Sequence, residues 1–250
     1  MTPPSELDER VVIARRFNGP PDSAQGGYAC GVVADRIDAP VATVSLRRPP
    51  PLERPLDVRR GRDGAVSLLD GDELVAEGAP STLRLDVPPP VGFDEARAAS
   101  AANPWVDRHP FPTCFGCGPD RDPADALRLI LGPVPGEELV ADAWIPHPSV
   151  GDERGHVSKL FVWAALDCPT GAAAIDPARG PNVLGRLTVD HGRAPVMVGE
   201  PHVVVAWLIG REGRKSRGGA AIYAAGGELC AFSEGLWIEL RDPSVVGARV

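Results

Sequence analysis

The chain has 250 residues, with 26 Lys plus Arg against 34 Asp plus Glu and a formal net charge of -8. A content of 43% hydrophobic and 24% charged residues is that of a globular chain and excludes a largely disordered one. The acidic balance argues against a general nucleic-acid binder, which needs a basic face for phosphates, and no run of about 18 apolar residues is present to span a membrane.

In chain order, the opening MTPPSELDER is polar and acidic, without the basic and apolar regions of a secretory signal. Residues 25–37 are small and apolar and predict a helix opened by Gln25, Gly26 and Gly27. Residues 53–58 read as a strand entered through Pro55, and residues 64–77 as two strands joined by a tight turn at Gly71. The Pro- and Ala-rich stretch 87–112 reads as a connector with a helical pattern from Phe93 to Ala102. Residues 126–131 and 138–145 predict a hairpin about 133–136. Residues 157–174 form one long helix whose polar positions are few, and a helix apolar nearly all round should be buried. Strands follow at 184–189, 202–209, 219–225 and 229–240.

The chain repeats itself. Residues 64–77 align with 219–232 so that Gly64 matches Gly219, Gly71 matches Gly226, Glu73-Leu74 matches Glu228-Leu229 and Ala76 matches Ala231. Upstream of each lies a Pro-opened strand, and further upstream a small-residue helix. The same order of elements in both halves points to duplication. The expected division is an N-terminal unit over 1–90, a connector over 91–125 and a C-terminal unit over 126–250.

A helix clasped by an antiparallel sheet, twice in tandem, resembles the double hotdog fold of the acyl-CoA thioesterase-like superfamily. The segment from Asn18 through Gln25, Gly26, Gly27 and Tyr28 is similar to that family's Asn…(His/Gln)-Gly-Gly turn opening the central helix. The run Phe161–Asp167 is similar to the helix that presents an acidic residue from the partner unit. Cys114-Phe115-Gly116-Cys117-Gly118 followed by Leu127-Arg128-Leu129 is similar to segments leading into some thioesterase-like domains. The resemblance implies an α+β fold with two antiparallel sheets, each wrapping a central helix. It also implies an acyl-CoA substrate, no cofactor apart from the coenzyme A of the substrate itself, and a monomer or a homodimer of double-hotdog chains.

Thioester hydrolysis needs a carboxylate to activate water or attack the carbonyl, and donors for the oxyanion. A helix N-terminus has unpaired N–H groups and the favourable end of the dipole. On this reading Asp167 is the base or nucleophile, sharpened by burial among Trp163, Leu166 and Cys168. Gly26 and Gly27 hold the carbonyl, Gln25 and Asn18 add amide donors, and Tyr28 lies against the substrate. The blander readings are a loop turn for the glycines and turn or cap residues for Asn18 and Gln25. The second half has Gly155-His156 where Gln25-Gly26 stand, but Val157 follows, so one equipped site is expected.

The basic turn 211–217 is a solvated turn or, through Arg214 and Lys215, a seat for coenzyme A phosphates. The five cysteines, Cys30, Cys114, Cys117, Cys168 and Cys230, fit reduced thiols in a cytoplasm. Cys114 and Cys117 have the spacing of half a zinc knuckle, with His109 and His147 as distant candidates to complete it. Lacking a second such pair, they are expected to make a tight turn with no metal. Cys168 has no His placed by sequence to activate it. Hydrolysis of an acyl thioester is the favoured function. A non-catalytic acyl-ligand binder is one rival. A hotdog hydratase or dehydratase is another, weakened because Asp22 has no nearby His.

Overall fold

The computed structural model describes residues 7–104, 106–176 and 181–242, so most of the acidic opening segment lies outside it. The first half runs β1 (Leu7–Val12), α1 (Gly26–Ala34), β2 (Val41–Leu46), β3 (Pro55–Arg60), β4 (Val66–Asp70) and β5 (Glu73–Pro80). After α2 (Phe93–Ala101) come the two-residue β6 (Gly132–Pro133) and β7 (Leu139–Trp144). The rest is α3 (Lys159–Ala165), α4 (Asp167–Ala174), β8 (Asn182–Asp190), β9 (His202–Glu212), β10 (Lys215–Ala224) and β11 (Leu229–Glu239). No helix among the described residues is long and apolar enough to cross a membrane.

The strands form one antiparallel sheet of eleven, in the order β1-β3-β4-β5-β2-β8-β11-β10-β9-β7-β6. The two separate sheets expected from sequence are therefore joined. The joint is β2 against β8, from Val41 opposite Asp190 to Ser45 opposite Arg186, with the Thr43 and Thr188 hydroxyls 2.9 Å apart across it. Joining at the centre removes two exposed edges, each a row of unpaired backbone groups. The order β1-β3-β4-β5-β2 of the first half recurs as β7-β9-β10-β11-β8 in the second.

Helices α1, α3 and α4 lie on one face of the sheet and share its main core with Val44, Leu187, Val204 and Ile222. On the opposite face of the second half, Ala96 and Ala99 of α2 cover Val203, Val205, Ala221 and Tyr223. Strand β9 is thus buried on both sides, which explains its continuous apolar run, whereas β2 and β3 alternate because their outer face meets water. The connector helix falls where its sequence pattern put it.

Two departures have local causes. The expected hairpin shrinks to two residues of β6 against β7. Residues 126–131 are drawn off instead: the Leu127 and Leu129 N–H groups donate to Phe115 and Gly116 carbonyls at 2.9 Å, and Arg128 takes a left-handed φ of 51°. The single long helix is also broken, at Leu166 with ψ near 0°. Pro169 lacks an N–H and its ring crowds the carbonyl four residues back, so the helix cannot run through. Side chains brace the break: Ser233 Oγ donates to Leu166 O at 3.1 Å, and Thr170 Oγ1 donates to Asp167 O at 2.7 Å.

On β7, buried Asp142 accepts the Ile130 N–H at 2.7 Å. Burial pushes its carboxyl up to about 6 despite that bond. A raised folded-state value means that the folded protein holds a proton the unfolded chain has lost. The contribution is present below about 4, is lost as pH rises through about 6, and amounts to about 3 kcal/mol at most. Asp142→Asn keeps an acceptor and never ionises. Its melting temperature relative to the parent should rise between pH 4.5 and 7.5, and a flat difference in melting scans would refute the assignment.

Candidate functional site

Helix α1 crosses α3 at very short range because two of its residues lack side chains. A Cβ at Gly27 would lie 2.6 Å from the Trp163 carbonyl and would also collide with Asp167 Cβ. One at Gly31 would lie 2.8 Å from the Leu160 carbonyl. This contact carries Asp167, the first residue of α4, onto the N-terminus of α1.

There the Asp167 carboxylate is held from one side. Its Oδ2 accepts the Gly27 N–H at 2.6 Å and the Gln25 Nε2 amide at 2.7 Å. Its Oδ1 is buried without a partner. Gln25 is fully committed: Oε1 accepts the Tyr28 N–H at 2.5 Å as the helix cap, and Nε2 also donates to Ala164 O at 3.1 Å. Gln25 and Asp167 are 1% and 2% exposed. Burial pushes the Asp167 carboxyl up to about 8, with the Gly27 N–H pulling the other way. The site therefore has one Asp167 oxygen locked by two donors and the other buried without a partner, on a carboxyl that ionises as pH rises through about 8.

Of the first N–H groups of α1, Gly27 serves Asp167, Tyr28 serves Gln25, and Ala29 donates to the Gln25 carbonyl. Gly26 N–H is left, at a residue lining the cavity described next. Of the two glycines expected to hold a substrate carbonyl, Gly27 spends its N–H on the Asp167 carboxyl, and Gly26 lines the cavity.

Asp167, Gln25 and Gly26 border a cavity of about 1000 Å³. Its walls are mainly apolar, with Leu129, Leu131, Val140, Ile175, Leu184 and Trp237 among them. Arg47, Arg48, Arg108 and His109 also line it. The three arginines are polar and exposed, and Arg47 and Arg48 are ion-paired with Glu77 and Glu73 at 2.6 and 2.8 Å.

The other expected site residues stand elsewhere. Asn18 is buried, but its amide donates to Gly19 O, and its Oδ1 accepts Arg121 Nη1 at 3.1 Å, so it ties two loops together. Tyr28 does not line the cavity; its ring stacks on Phe17 with centroids 4.0 Å apart, within a group that includes Phe115 and Phe161. Arg214 and Lys215, on the β9–β10 turn, do not line it either, and the Arg214 guanidinium donates to Glu239 O at 3.0 Å. In the second half, Lys159 at the start of α3 donates to Ile37 O at 2.9 Å, and His156 makes a backbone bridge to Met197. Neither rebuilds the arrangement around Gln25.

A cluster that sequence reasoning missed lies beside the carboxylate. Cys168 joins Cys114 and Cys117, the three sulfurs lie within 4.8 Å of one another, and all three residues line the cavity. Cys114 and Cys168 sulfurs are 3.9 Å apart, and Gln25 Nε2 is 3.6 Å from Cys168 Sγ. His109, which lines the same cavity, accepts the Phe111 N–H through Nδ1 at 3.1 Å, and His147 accepts the Ser149 N–H at 3.2 Å; neither ring stands within 4.8 Å of all three sulfurs.

No protein-family model matches the chain, and no curated protein does. Solved structures do. A tesB protein of Mycobacterium avium subsp. paratuberculosis is 13% identical, with 92% of this chain and 91% of that one covered at a TM-score of 0.56. An acyl-CoA thioesterase II, TesB2, of Mycobacterium marinum is 14% identical, with 92% of each covered at 0.57. A hotdog-fold protein of unknown function from Alicyclobacillus acidocaldarius is 13% identical, with 93% of each covered at 0.55. At such identities the likeness is one of fold: the chain has the hotdog fold of thioesterase-like proteins.

Proposed function

We propose that the chain hydrolyses acyl thioesters of coenzyme A, with Asp167 as general base. One observation carries the reading. A buried carboxylate has Oδ2 fixed by Gly27 and Gln25 and Oδ1 unpartnered, at the wall of a large apolar cavity. Fixing one oxygen sets the direction of the other, so Oδ1 takes a proton from a water poised against the thioester carbonyl. The Gly26 N–H, at the favourable end of the α1 dipole, faces the developing oxyanion. A volume of about 1000 Å³ lies at the upper end of ordinary ligand pockets, and its apolar wall suits an acyl chain.

The recurring strand order supports two tandem hotdog units that complete one site: Gln25 and Gly26 come from the first and Asp167 from the second. The coenzyme A phosphates are assigned to Arg47, Arg48 and Arg108 in place of Arg214 and Lys215. The surface ion pairs at Arg47 and Arg48 are worth little and exchange readily for phosphate.

The test is release of free thiol from a panel of acyl-CoA esters from acetyl to palmitoyl. Turnover that depends on chain length is expected. Binding by calorimetry with no thiol released would make the chain an acyl-ligand binder instead. Arg48→Ala combined with Arg108→Ala should raise KM for CoA esters about tenfold and leave acyl-N-acetylcysteamine esters unaffected. An equal rise for both substrates would remove the phosphate role.

A further inference from the structure

We propose that Cys114, Cys117 and Cys168 together bind one thiophilic metal ion, of which zinc is the physiological case. This goes beyond the hydrolase reading and does not depend on it. No metal was expected from sequence because the search was for a second Cys-x-x-Cys pair. The third sulfur comes instead from the helix break that also delivers Asp167.

The geometry is that of a metal site before closure. Zinc–sulfur bonds of about 2.3 Å in a tetrahedron set sulfur atoms about 3.8 Å apart. Cys114 and Cys168 already stand at 3.9 Å, and all three sulfurs lie within 4.8 Å. Three thiolates are a soft donor set, suited to zinc and other thiophilic ions and poorly suited to magnesium or calcium.

The surroundings fix the three sulfurs in place. Gln25 Nε2, whose two hydrogens go to Asp167 Oδ2 and Ala164 O, packs against Cys168 Sγ at 3.6 Å. Gly116 has to be glycine for this approach, because a Cβ there would lie 2.6 Å from Cys168 Sγ and 3.0 Å from Gln25 Nε2. The loop is anchored as a unit: Phe115 N–H donates to Asn18 O at 2.7 Å, and Gly118 N–H closes onto Cys114 O at 2.8 Å. Phe115 also packs among the rings of Phe17, Tyr28 and Phe161.

The fourth ligand comes from the cavity, which all three cysteines line, and is water or a donor atom of a ligand. Bound there, the ion clamps the Cys114–Cys117 loop to the start of α4. It thereby fixes Asp167, the residue before Cys168.

The test uses the full chain, reduced, with all five thiols first counted by a thiol reagent. Zinc titrated against a chromophoric chelator should bind at one equivalent. Cobalt(II) in its place should give a near-ultraviolet thiolate charge-transfer band with an intensity for three sulfurs. Cys114→Ser, Cys117→Ser and Cys168→Ser should each weaken zinc binding on the order of 10²-fold or more, while Cys230→Ser leaves it unchanged. Zinc should raise the melting temperature of the parent but not of Cys168→Ser. The cobalt spectrum is read on the parent, so a serine variant that failed to fold would not remove the test. Absence of the charge-transfer band, binding well below one equivalent, or full affinity retained in Cys168→Ser would overturn the proposal.

Discussion

Asp167→Asn is expected to lower kcat for thioester hydrolysis about 10³-fold, within the range a general base contributes, and to leave the melting temperature unchanged or higher. Asparagine is nearly isosteric. Its carbonyl oxygen occupies the place of Oδ2 and keeps the bonds from Gly27 N–H and Gln25 Nε2, now 2.6 and 2.7 Å long. Its amide stands where Oδ1 was and has no basic lone pair. Fold and cavity persist, so KM should move little, and the loss should appear in kcat and kcat/KM together. The stability expectation follows from burial: Asp167 is 2% exposed and has no ion pair among the described residues, and a neutral group is easier to bury. Steady-state rates with melting scans on the same preparations decide the matter. Activity within tenfold of the parent would show that Asp167 is held in place for packing and that another group activates water.

Much of this site was legible because its signals are local. An acid on an otherwise apolar helix, and two adjacent glycines after a possible cap, each carry their meaning in a few residues. What sequence could not show is which partner each uses. Gly27 was read as an oxyanion donor, yet its N–H faces a carboxylate 140 positions away. The Cys168 sulfur joins a pair 54 positions upstream, and only the break enforced by Pro169 turns it there. The arginines fell the same way: Arg214 and Lys215 stood out as a basic run, while Arg47, Arg48 and Arg108 converge on the cavity from separate loops. In the fold, the paired turns were legible: the matched Gly71 and Gly226 sit in the β4–β5 and β10–β11 connections. The joining of the sheets through β2 and β8 was not, because a pairing between distant strands leaves no mark on either one's alternation. The lost hairpin has a similar origin. Residues 126–131 have a strand's composition, but their N–H groups found nearer acceptors in the cysteine loop.

The two glycines that open α1, Gly26 and Gly27, differ in a way that separates packing from chemistry. A Cβ at Gly27 meets backbone at the Trp163 carbonyl, 2.6 Å away, and collides with Asp167 Cβ, neither of which swings aside. Gly27→Ala therefore has to push α1 and α3 apart. Overpacking of this kind costs about 2–3 kcal/mol, more than the 0.5–1 kcal/mol that alanine returns in helix propensity. For a chain of this length the melting temperature should fall by about 4–8 °C. Because Gly27 N–H and Asp167 move with the helices, kcat should fall with it, on the order of 10²-fold. At Gly26 the new Cβ meets Leu184 Cδ2 at 3.0 Å, which can rotate away along the cavity, and Leu184 Cβ and Asp167 Oδ2 at 3.1 and 3.3 Å, which need shift by only a few tenths of an ångström. Gly26→Ala should lose less than about 1 kcal/mol and change acyl-chain preference, since Leu184 lines the same cavity. The pair is read by melting scans beside the chain-length profile of thiol release. Equal stability losses at the two positions would mean that α1 and α3 do not approach as closely as Gly27 and Gly31 indicate, and the locked orientation of Asp167 would have to come from elsewhere.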